Sequence, residues 1–302
     1  MKIGILTSGG DCPGINATIR GVGKTAIMHY GMEVLGIHSG YQGILHEDVE
    51  LFSERSLSGI LNLGGTILGT AREKPFRKQL LADDDNIRER LMQKYHELGL
   101  DCVVCIGGNG TMKTAHVVQQ MGMNVVAVPK TIDNDIFGTD ITFGFDTAVD
   151  IATDAIDRLH STAGSHKRVM VIEVMGHHVG WIALHAGMAG GGDVILLPEI
   201  DYDINKINQF ILGRARSGKP YSIVVVAEGI KVPNATRRQS ISRTLSRSEP
   251  VSRRARPSWD ISSAAAIRRL STAYWPRASA DMPRSLLPGV SSDAWFACGA
   301  AR

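Results

Sequence analysis

Hydrophobic positions in the first 230 residues fall into seven short runs rich in Val and Ile, separated by amphipathic stretches. The runs are apolar on both faces, as strands buried between two layers of helices are. They predict strands at residues 2–7, 33–37, 102–106, 124–128, 168–174, 194–197 and 222–227. The amphipathic stretches predict helices at about residues 15–29, 85–98, 111–121, 145–162, 181–189 and 205–216. This alternation predicts a doubly wound α/β fold with right-handed crossovers.

The pattern fails from about residue 234, and RRQSISRTLSRSEPVSRRARPSW shows no sustained period of 2 or 3.6. That stretch, taken by itself, is typical of a disordered segment. The chain carries a net charge of +3, but residues 236–302 hold 12 Arg, no Lys and four acidic residues. A charge break of this kind favours a separate domain or a basic arm that binds nucleic acid.

Composition sets the broad class of the protein. The 302 residues make one large domain or two ordinary ones, and 43% hydrophobic with 21% charged residues is globular composition. No apolar run reaches the roughly 18 residues of a membrane helix, and the N-terminus lacks a secretory signal pattern, so we expect a cytoplasmic protein. The cysteines are interpreted as reduced core residues rather than a disulfide or zinc framework. They are Cys12, Cys102, Cys105 and Cys298.

Two glycine-rich turns follow predicted strands. SGGD leads into PGIN after the first strand, and GGNGT follows the third. Glycines let the backbone approach a ligand closely, and the start of the next helix favours an anion. Each turn alone could be a tight strand–helix connection, but two of them at strand ends favour a nucleotide-phosphate site.

The sequence PKTIDND follows the fourth strand. It could be an Asp/Asn-rich turn that caps its own backbone. The functional interpretation has Asp133 accept a hydroxyl proton while Asp135 helps to position magnesium, as phosphoryl transfer requires.

Seven motifs occur in a fixed order: TSGGDCPGIN, GGTILGTAR, IGGNGT, PKTIDND, SHKRVMVIEVMG, AGGGDVILLPE and AEGI. This series resembles the 6-phosphofructokinases of the bacterial type over roughly residues 1–232. The resemblance implies two doubly wound Rossmann-like α/β domains. Residues 1–135 would bind nucleotide phosphates, residues 136–232 would form an incomplete fructose 6-phosphate domain, and residues 233–302 would be an aberrant tail without the closing elements. It also implies a glycolytic enzyme that uses ATP and Mg²⁺ and forms a homo-oligomer, either a dimer or a tetramer, with allosteric control and no nucleic-acid or membrane partner.

The resemblance also assigns roles to individual residues. The catalytic base would be Asp133, and the metal would be held by Asn109 and Asp135. The nucleotide-binding residues would be Gly10, Tyr41, Arg72, Glu73, Gly108, Asn109, Gly110 and Thr111. The sugar-phosphate residues would be Thr131, Ile132, Asp133, Arg168, Met175, Gly176, His177 and Glu228, with Arg168 reaching across a subunit interface. A cationic effector site would include Arg20, Lys24 and Arg55.

Three positions depart from the family pattern. Asn109 stands where the family commonly has a magnesium-coordinating Asp, and a neutral carbonyl is the weaker ligand for a hard cation. His177 stands where many members have Arg. Gly110 and Lys130 separate phosphoryl donors: Gly110 leaves room for the α-phosphate of ATP, whereas pyrophosphate users typically carry Asp there and Lys at position 130. We therefore expect ATP as the donor.

The tail can be examined as a reading-frame error. Each codon is read from its third base into the next two bases. Trp259-Asp260 must then give Gly, and Asp260-Ile261 must give Tyr or His. Across residues 257–280 the permitted codons spell VLGYQQRGGDPSAFDRVLATRFG, which resembles a family segment that residues 236–302 do not match in their own frame. We infer a frameshift near residues 234–238, so the arginines of the tail need no nucleic-acid partner.

Other functions stay open at this point. The same reaction with pyrophosphate is the first alternative. A catalytically dead phosphofructokinase-like binding protein is the second, because of Asn109 and the lost tail. A lipid or NAD kinase explains GGNGT but not PKTIDND or MGHHVG.

Overall fold

The computed structural model describes residues 1–71, 76–78, 85–231 and 259–260. The first sheet has the order β3-β2-β1-β4-β5, and every pairing is parallel except that of β3 with β2. Its strands are β1 (Lys2–Thr7), β2 (Glu33–Ile37), β3 (Val49–Leu51), β4 (Cys102–Gly107) and β5 (Val125–Pro129). The helices of this unit are α1 (Ile15–Tyr30), α2 (Tyr41–His46), α3 (Asp85–Glu97) and α4 (Asn109–Gln120).

The second sheet has the order β7-β8-β6-β9, and its three pairings are parallel. Its strands are β6 (Val169–Val174), β7 (Val194–Leu196), β8 (Ser222–Ala227) and β9 (Trp259–Asp260). The helices are α5 (Phe145–His166), α6 (Trp181–Ala189) and α7 (Ile204–Arg216). Two largely parallel sheets with helices between their strands confirm the predicted α/β class.

The strands bury both faces. In β4, Val104 and Ile106 join one hydrophobic cluster while Val103 and Cys105 join the cluster on the opposite face. In β6 the same alternation separates Met170, Ile172 and Val174 from Val169 and Val171. Side chains of neighbouring residues point to opposite faces of a strand, so a continuous apolar run fills two cores at once.

The strand bounds agree closely with the sequence prediction, but three elements were missed. The helix α2 and the strands β3 and β9 are short, at six, three and two residues. The strand β5 is also less buried than predicted, since Val126 is 38% exposed and Ala127 is exposed. The reason is its position at the edge of the sheet, which a run of Val and Ala does not reveal.

The predicted out-of-frame tail lies outside the described residues, apart from Trp259 and Asp260, whose backbone pairs with Val169 and Met170 of β6. The proposed domain boundaries at residues 135 and 232, and the absence of closing elements, stay predictions. Within the described ranges, no helix combines the length and apolarity that crossing a membrane requires.

Candidate active site

The first glycine turn (residues 8–14) connects β1 to α1. Gly9 and Gly14 have φ values of 88° and 91°, a region that glycine enters without a Cβ penalty. The turn is anchored because the Ser8 backbone N–H donates to the Ile106 carbonyl at 3.0 Å and the Thr70 hydroxyl donates to the Gly9 carbonyl at 2.6 Å. Gly10 is exposed, and a Cβ built there meets nothing within 4 Å. The turn therefore presents its backbone at the carboxyl end of the sheet.

The second glycine turn (residues 107–111) connects β4 to α4. Only glycine fits at position 107, because a Cβ there would overlap the side chain of Thr111, which is 1% exposed. The 12-residue helix α4 begins without a side-chain cap and without an acidic residue in its first turn. Its first N–H groups therefore offer a positive end to an anion. Gly110 has open space around it, with nothing within 4 Å of an added Cβ.

The two turns adjoin because β1 and β4 are neighbours in the sheet. The strands β2 and β3 lie on one side of β1, and β4 and β5 lie on the other. Open α/β sheets bind ligands at such a switch point in the strand order. Arg77 reinforces the second turn by donating from Nη1 to the Gly110 carbonyl at 2.9 Å.

The carboxylate segment (residues 130–144) leaves β5 and reaches α5. Its fold is held by side chains: the Thr142 hydroxyl donates to the Thr131 carbonyl at 2.7 Å, and the Thr142 N–H donates to Asn134 Oδ1 at 2.9 Å. Asn134 thus caps its own loop, as the turn interpretation of PKTIDND predicted for this residue type. At Asp133 the backbone N–H donates to Thr131 Oγ1 at 3.2 Å, and a hydrogen bond from the same hydroxyl also reaches the carboxylate.

The carboxyl group of Asp133 is electrostatically unusual. Its pKa is raised from 3.8 to about 6, chiefly by burial and also by the neighbouring carboxylates of Asp135 and Glu228, against the opposing effects of His177 and the Thr131 hydroxyl. Four other predicted site residues, on loops that follow strands of both sheets, are therefore within electrostatic range of Asp133. A carboxyl with a pKa near neutrality suits a general base.

The turn after β6 lies opposite the carboxylate segment in the candidate site. His177 has a φ of 53°, and its backbone N–H donates to Glu228 Oε2 at 3.3 Å. Gly229 approaches this turn so closely that a Cβ there would overlap the His177 carbonyl. Met175 is half-buried and Gly176 is buried in the same turn. The structure thus brings the carboxyl ends of β6 and β8 to the carboxylate segment.

Arg72 and Glu73 of the predicted nucleotide site lie outside the described residues. Tyr41, predicted for the same site, is not part of the cluster. Tyr41 is 1% exposed, stacks on Phe76 at 5.8 Å and shares a 2.8 Å hydrogen bond with Cys105 Sγ. This position places Tyr41 in the core, so its expected contact with nucleotide phosphates gains no support from the structure.

Arg168 also lies away from the cluster. It precedes β6, whereas Met175 follows the same strand, and a six-residue strand spans roughly 20 Å. Arg168 therefore lies at the amino end of β6, whereas His177 of its own chain lies beyond the carboxyl end. A role for Arg168 in the site of another subunit stays a prediction.

Cys12 belongs to the buried core, as the sequence predicts, and it also borders the candidate site. It is 3% exposed, and its thiol donates to the Phe143 carbonyl at 3.4 Å. Its location between glycines in SGGDCPG was the available signal. Among the described residues, no three His, Cys, Asp or Glu side chains form a metal-binding group.

Comparison with known proteins agrees with this arrangement. A model of the phosphofructokinase family, described as "Phosphofructokinase", matches residues 2–258. The ATP-dependent 6-phosphofructokinase 3 of Bacteroides thetaiotaomicron is 72% identical over 230 residues, which cover 76% of this chain and 68% of that protein. The ATP-dependent 6-phosphofructokinase of Spirochaeta thermophila is 60% identical over 230 residues, covering 75% of this chain and 63% of that one.

The folds also agree. The structure of Pichia pastoris phosphofructokinase in the T-state superposes with a TM-score of 0.68 at 34% identity, covering 76% of this chain and 27% of that chain. This chain spans about two thirds of the length of the curated relatives it matches. The family match, the high identity and the shared fold confirm the resemblance seen in the motifs, and this chain belongs to the phosphofructokinase family.

Proposed function

We propose that this protein transfers the γ-phosphoryl group of ATP to the 1-hydroxyl of fructose 6-phosphate, giving fructose 1,6-bisphosphate in glycolysis. The observation that carries the proposal is the environment of Asp133, a half-buried carboxyl whose pKa is raised to about 6 beside two glycine turns. The names of the relatives, which are ATP-dependent 6-phosphofructokinases, support the same reaction.

In this mechanism Asp133 is the general base. Above its pKa the carboxylate is ionised and accepts the proton of the 1-hydroxyl as the oxygen attacks the γ-phosphorus. The proton then resides on the Asp133 carboxyl, and burial of that carboxyl favours the protonated form. Backbone N–H groups of the two glycine turns, including Gly10 and Gly108, would hold the donor phosphates.

Magnesium fits the donor set on this side of the site. Mg²⁺ prefers oxygen ligands and usually takes only one or two from the protein, with the rest from phosphates and water. The absence of a three-residue metal group among the described residues agrees with that mode. Asp135 and Asn109 would hold the ion, with the Asp135 carboxylate as the stronger ligand. When bound, the ion would neutralise charge on the transferring phosphoryl group.

The sugar phosphate would lie against the turns after β5, β6 and β8. Thr131 and Ile132 would meet it from the carboxylate segment, with Met175 and Gly176 lining the sugar. His177 and Glu228 are fixed to each other by the backbone hydrogen bond, so a hydroxyl held by Glu228 would also be placed against His177. Arg168 would complete the site from another copy in a homo-oligomer, either a dimer or a tetramer.

The donor proposal rests on Gly110. The space around it admits the α-phosphate of a nucleotide, which a carboxylate at that position would repel. Pyrophosphate is the second candidate, because Lys130 supplies a buried cation close to Gly9. Asn109 and the altered tail leave a catalytically dead binding protein as a third outcome of the test.

The test compares the chain as encoded with a variant whose reading frame is restored near residues 234–238. Formation of fructose 1,6-bisphosphate is measured with Mg²⁺ and either ATP or pyrophosphate. We expect the restored protein to use ATP in preference to pyrophosphate and the encoded chain to be much weaker. A restored protein that binds ATP without turnover would support the dead binding protein, and a preference for pyrophosphate would reassign the donor.

A further inference from the structure

Two side chains cross between the first glycine turn and the carboxylate segment, and they cross in opposite directions. Lys130 of the carboxylate segment donates from Nζ to the Gly10 carbonyl. Cys12 of the first glycine turn donates from Sγ to the Phe143 carbonyl at 3.4 Å. The partners are 120 and 131 residues apart in sequence. The two contacts bracket Asp133, which lies between Lys130 and Phe143 in the chain.

Lys130 is unusually buried for a lysine, at 3% exposure. Burial lowers the pKa of its ammonium, while Cys12, Asp11 and Asp133 act in the opposite direction. A buried cation without partners is strongly unfavourable, so this ammonium is expected to keep a fixed hydrogen bond rather than to move freely. Nζ donates its hydrogen bond to the backbone of the first glycine turn, not to a carboxylate of the site.

The Cys12 side chain is also closely packed. Gly144 has a φ of 97°, and a Cβ there would overlap the Cys12 sulfur. Burial raises the pKa of the thiol to about 12, so at neutral pH Cys12 is an uncharged donor that Asp133 does not repel. The thiol therefore fills a space that only glycine at position 144 leaves, directly before α5 begins.

We propose that Lys130 and Cys12 form a two-point lock that fixes the first glycine turn against the carboxylate segment, which makes Lys130 a positioning residue for Asp133 rather than a ligand of the phosphoryl donor. This inference rests on the proposed function. It explains how a lysine at the position associated with pyrophosphate use is compatible with ATP, since its ammonium is engaged by the Gly10 carbonyl.

The first test uses the full 302-residue chain and needs no turnover, so it is independent of the proposed activity. Lys130→Met keeps the length of the side chain and removes the cation, and Lys206→Met at an exposed position of α7 is the matched control. The rate of N-ethylmaleimide labelling is measured at Cys12, Cys102 and Cys105 by peptide mass spectrometry. We expect Lys130→Met to accelerate labelling of Cys12 by roughly tenfold or more, the effect of losing a charged hydrogen bond. The other two cysteines should change less than about twofold.

The direction of this effect is diagnostic. The Lys130 charge lowers the pKa of the Cys12 thiol, so a purely electrostatic effect of removing it would slow labelling. Acceleration confined to Cys12 therefore reports opening of the lock. An unchanged or slower rate at Cys12 would overturn the proposal. Equal acceleration at Cys102 and Cys105 would also overturn it, because Lys130 would then support the whole domain.

A second variant disturbs the Cys12 contact instead of the Lys130 contact. Gly144→Ala displaces the Cys12 sulfur without touching Lys130, and it should also accelerate labelling selectively at Cys12. In the frame-restored enzyme, Lys130→Met should lower kcat at saturating ATP by about tenfold while the KM for ATP changes little. A raised KM for ATP with unchanged kcat would make Lys130 a donor ligand and would contradict the lock.

Discussion

The raised pKa of Asp133 predicts that its ionised carboxylate lowers the free energy of unfolding. Replacing this carboxyl by an amide should therefore raise the free energy of unfolding. In Asp133→Asn the side chain keeps its shape but cannot ionise. In the native protein the fold raises the pKa from 3.8 to about 6, so between these values the folded state keeps a proton that the unfolded chain releases. The free energy of unfolding therefore falls as the pH rises through this window and stays low above it.

The magnitude follows from the shift. Two pKa units correspond to roughly 3 kcal/mol at most, since each unit is about 1.4 kcal/mol. Partial access to water reduces that figure, so we expect Asp133→Asn to raise the free energy of unfolding by about 1–3 kcal/mol at pH 8. At pH 4.5 most of the native carboxyl is protonated when folded, and the gain should be smaller by about 1–2 kcal/mol.

The assay is urea unfolding of the full chain at pH 4.5 and pH 8, followed by far-ultraviolet circular dichroism. Asp150→Asn, on the exposed surface of α5, controls for the loss of one carboxylate. A gain that is equal at both pH values, or a loss at pH 8, would refute the inference that burial and neighbouring carboxylates disfavour ionised Asp133. The same variant removes the proposed base, so increased stability should accompany lost turnover.

Three further predictions follow from the site and the second sheet. In the frame-restored enzyme, Asp133→Ser should lower kcat by roughly 10²–10⁴-fold with little change in the KM for fructose 6-phosphate; near-normal turnover would reassign the base. Gly110→Asp should abolish ATP use and spare pyrophosphate, as measured by initial rates with both donors at equal magnesium; retained ATP use would show that the space at Gly110 does not decide the donor. Arg214→Met should lower the free energy of unfolding by about 3 kcal/mol, because Asp193 would lose the partly buried cation that it contacts at 2.6 Å. Arg216→Met, at an exposed position of α7, is the control, and equal urea midpoints for the two variants would contradict this role.

The apolar runs of the sequence predicted the central strands well because both sides of each parallel strand are buried. The strand β3 escaped detection because three residues that include Glu50 and an exposed Leu51 show no periodicity. The exposure of Val126 was equally invisible, since burial of a strand depends on its place in the sheet order and not on its own residues. Tyr41 was assigned to the site through the family motif, but local sequence does not reveal that its ring turns inward onto Phe76.

The candidate site was predictable where residues follow strand ends in order. The carboxyl ends of parallel strands share one edge, so the glycine turns and Asp133 were expected to converge. The bridge from Cys12 to Phe143 was not predictable, because it joins residues 131 positions apart through a thiol that looks like an ordinary core residue. This contact depends on the return of the chain to the end of β5, where Phe143 bridges to Lys130, and no local pattern encodes that return.

The central position of β1 determines the order in which the first sheet can assemble on the ribosome. Ile3 pairs on one side with Val34 and on the other with Cys102. During synthesis, one edge of β1 therefore stays unpaired until β4 has been made. At roughly 5–20 residues per second, the interval between these two partners lasts several seconds, during which a chaperone or another nascent chain can reach the open edge. All five strands of this sheet are nevertheless synthesised by residue 129. A ribosome that meets a frame error near codon 235 therefore already carries the complete strand set of the first sheet, and the error reaches only what is added afterwards.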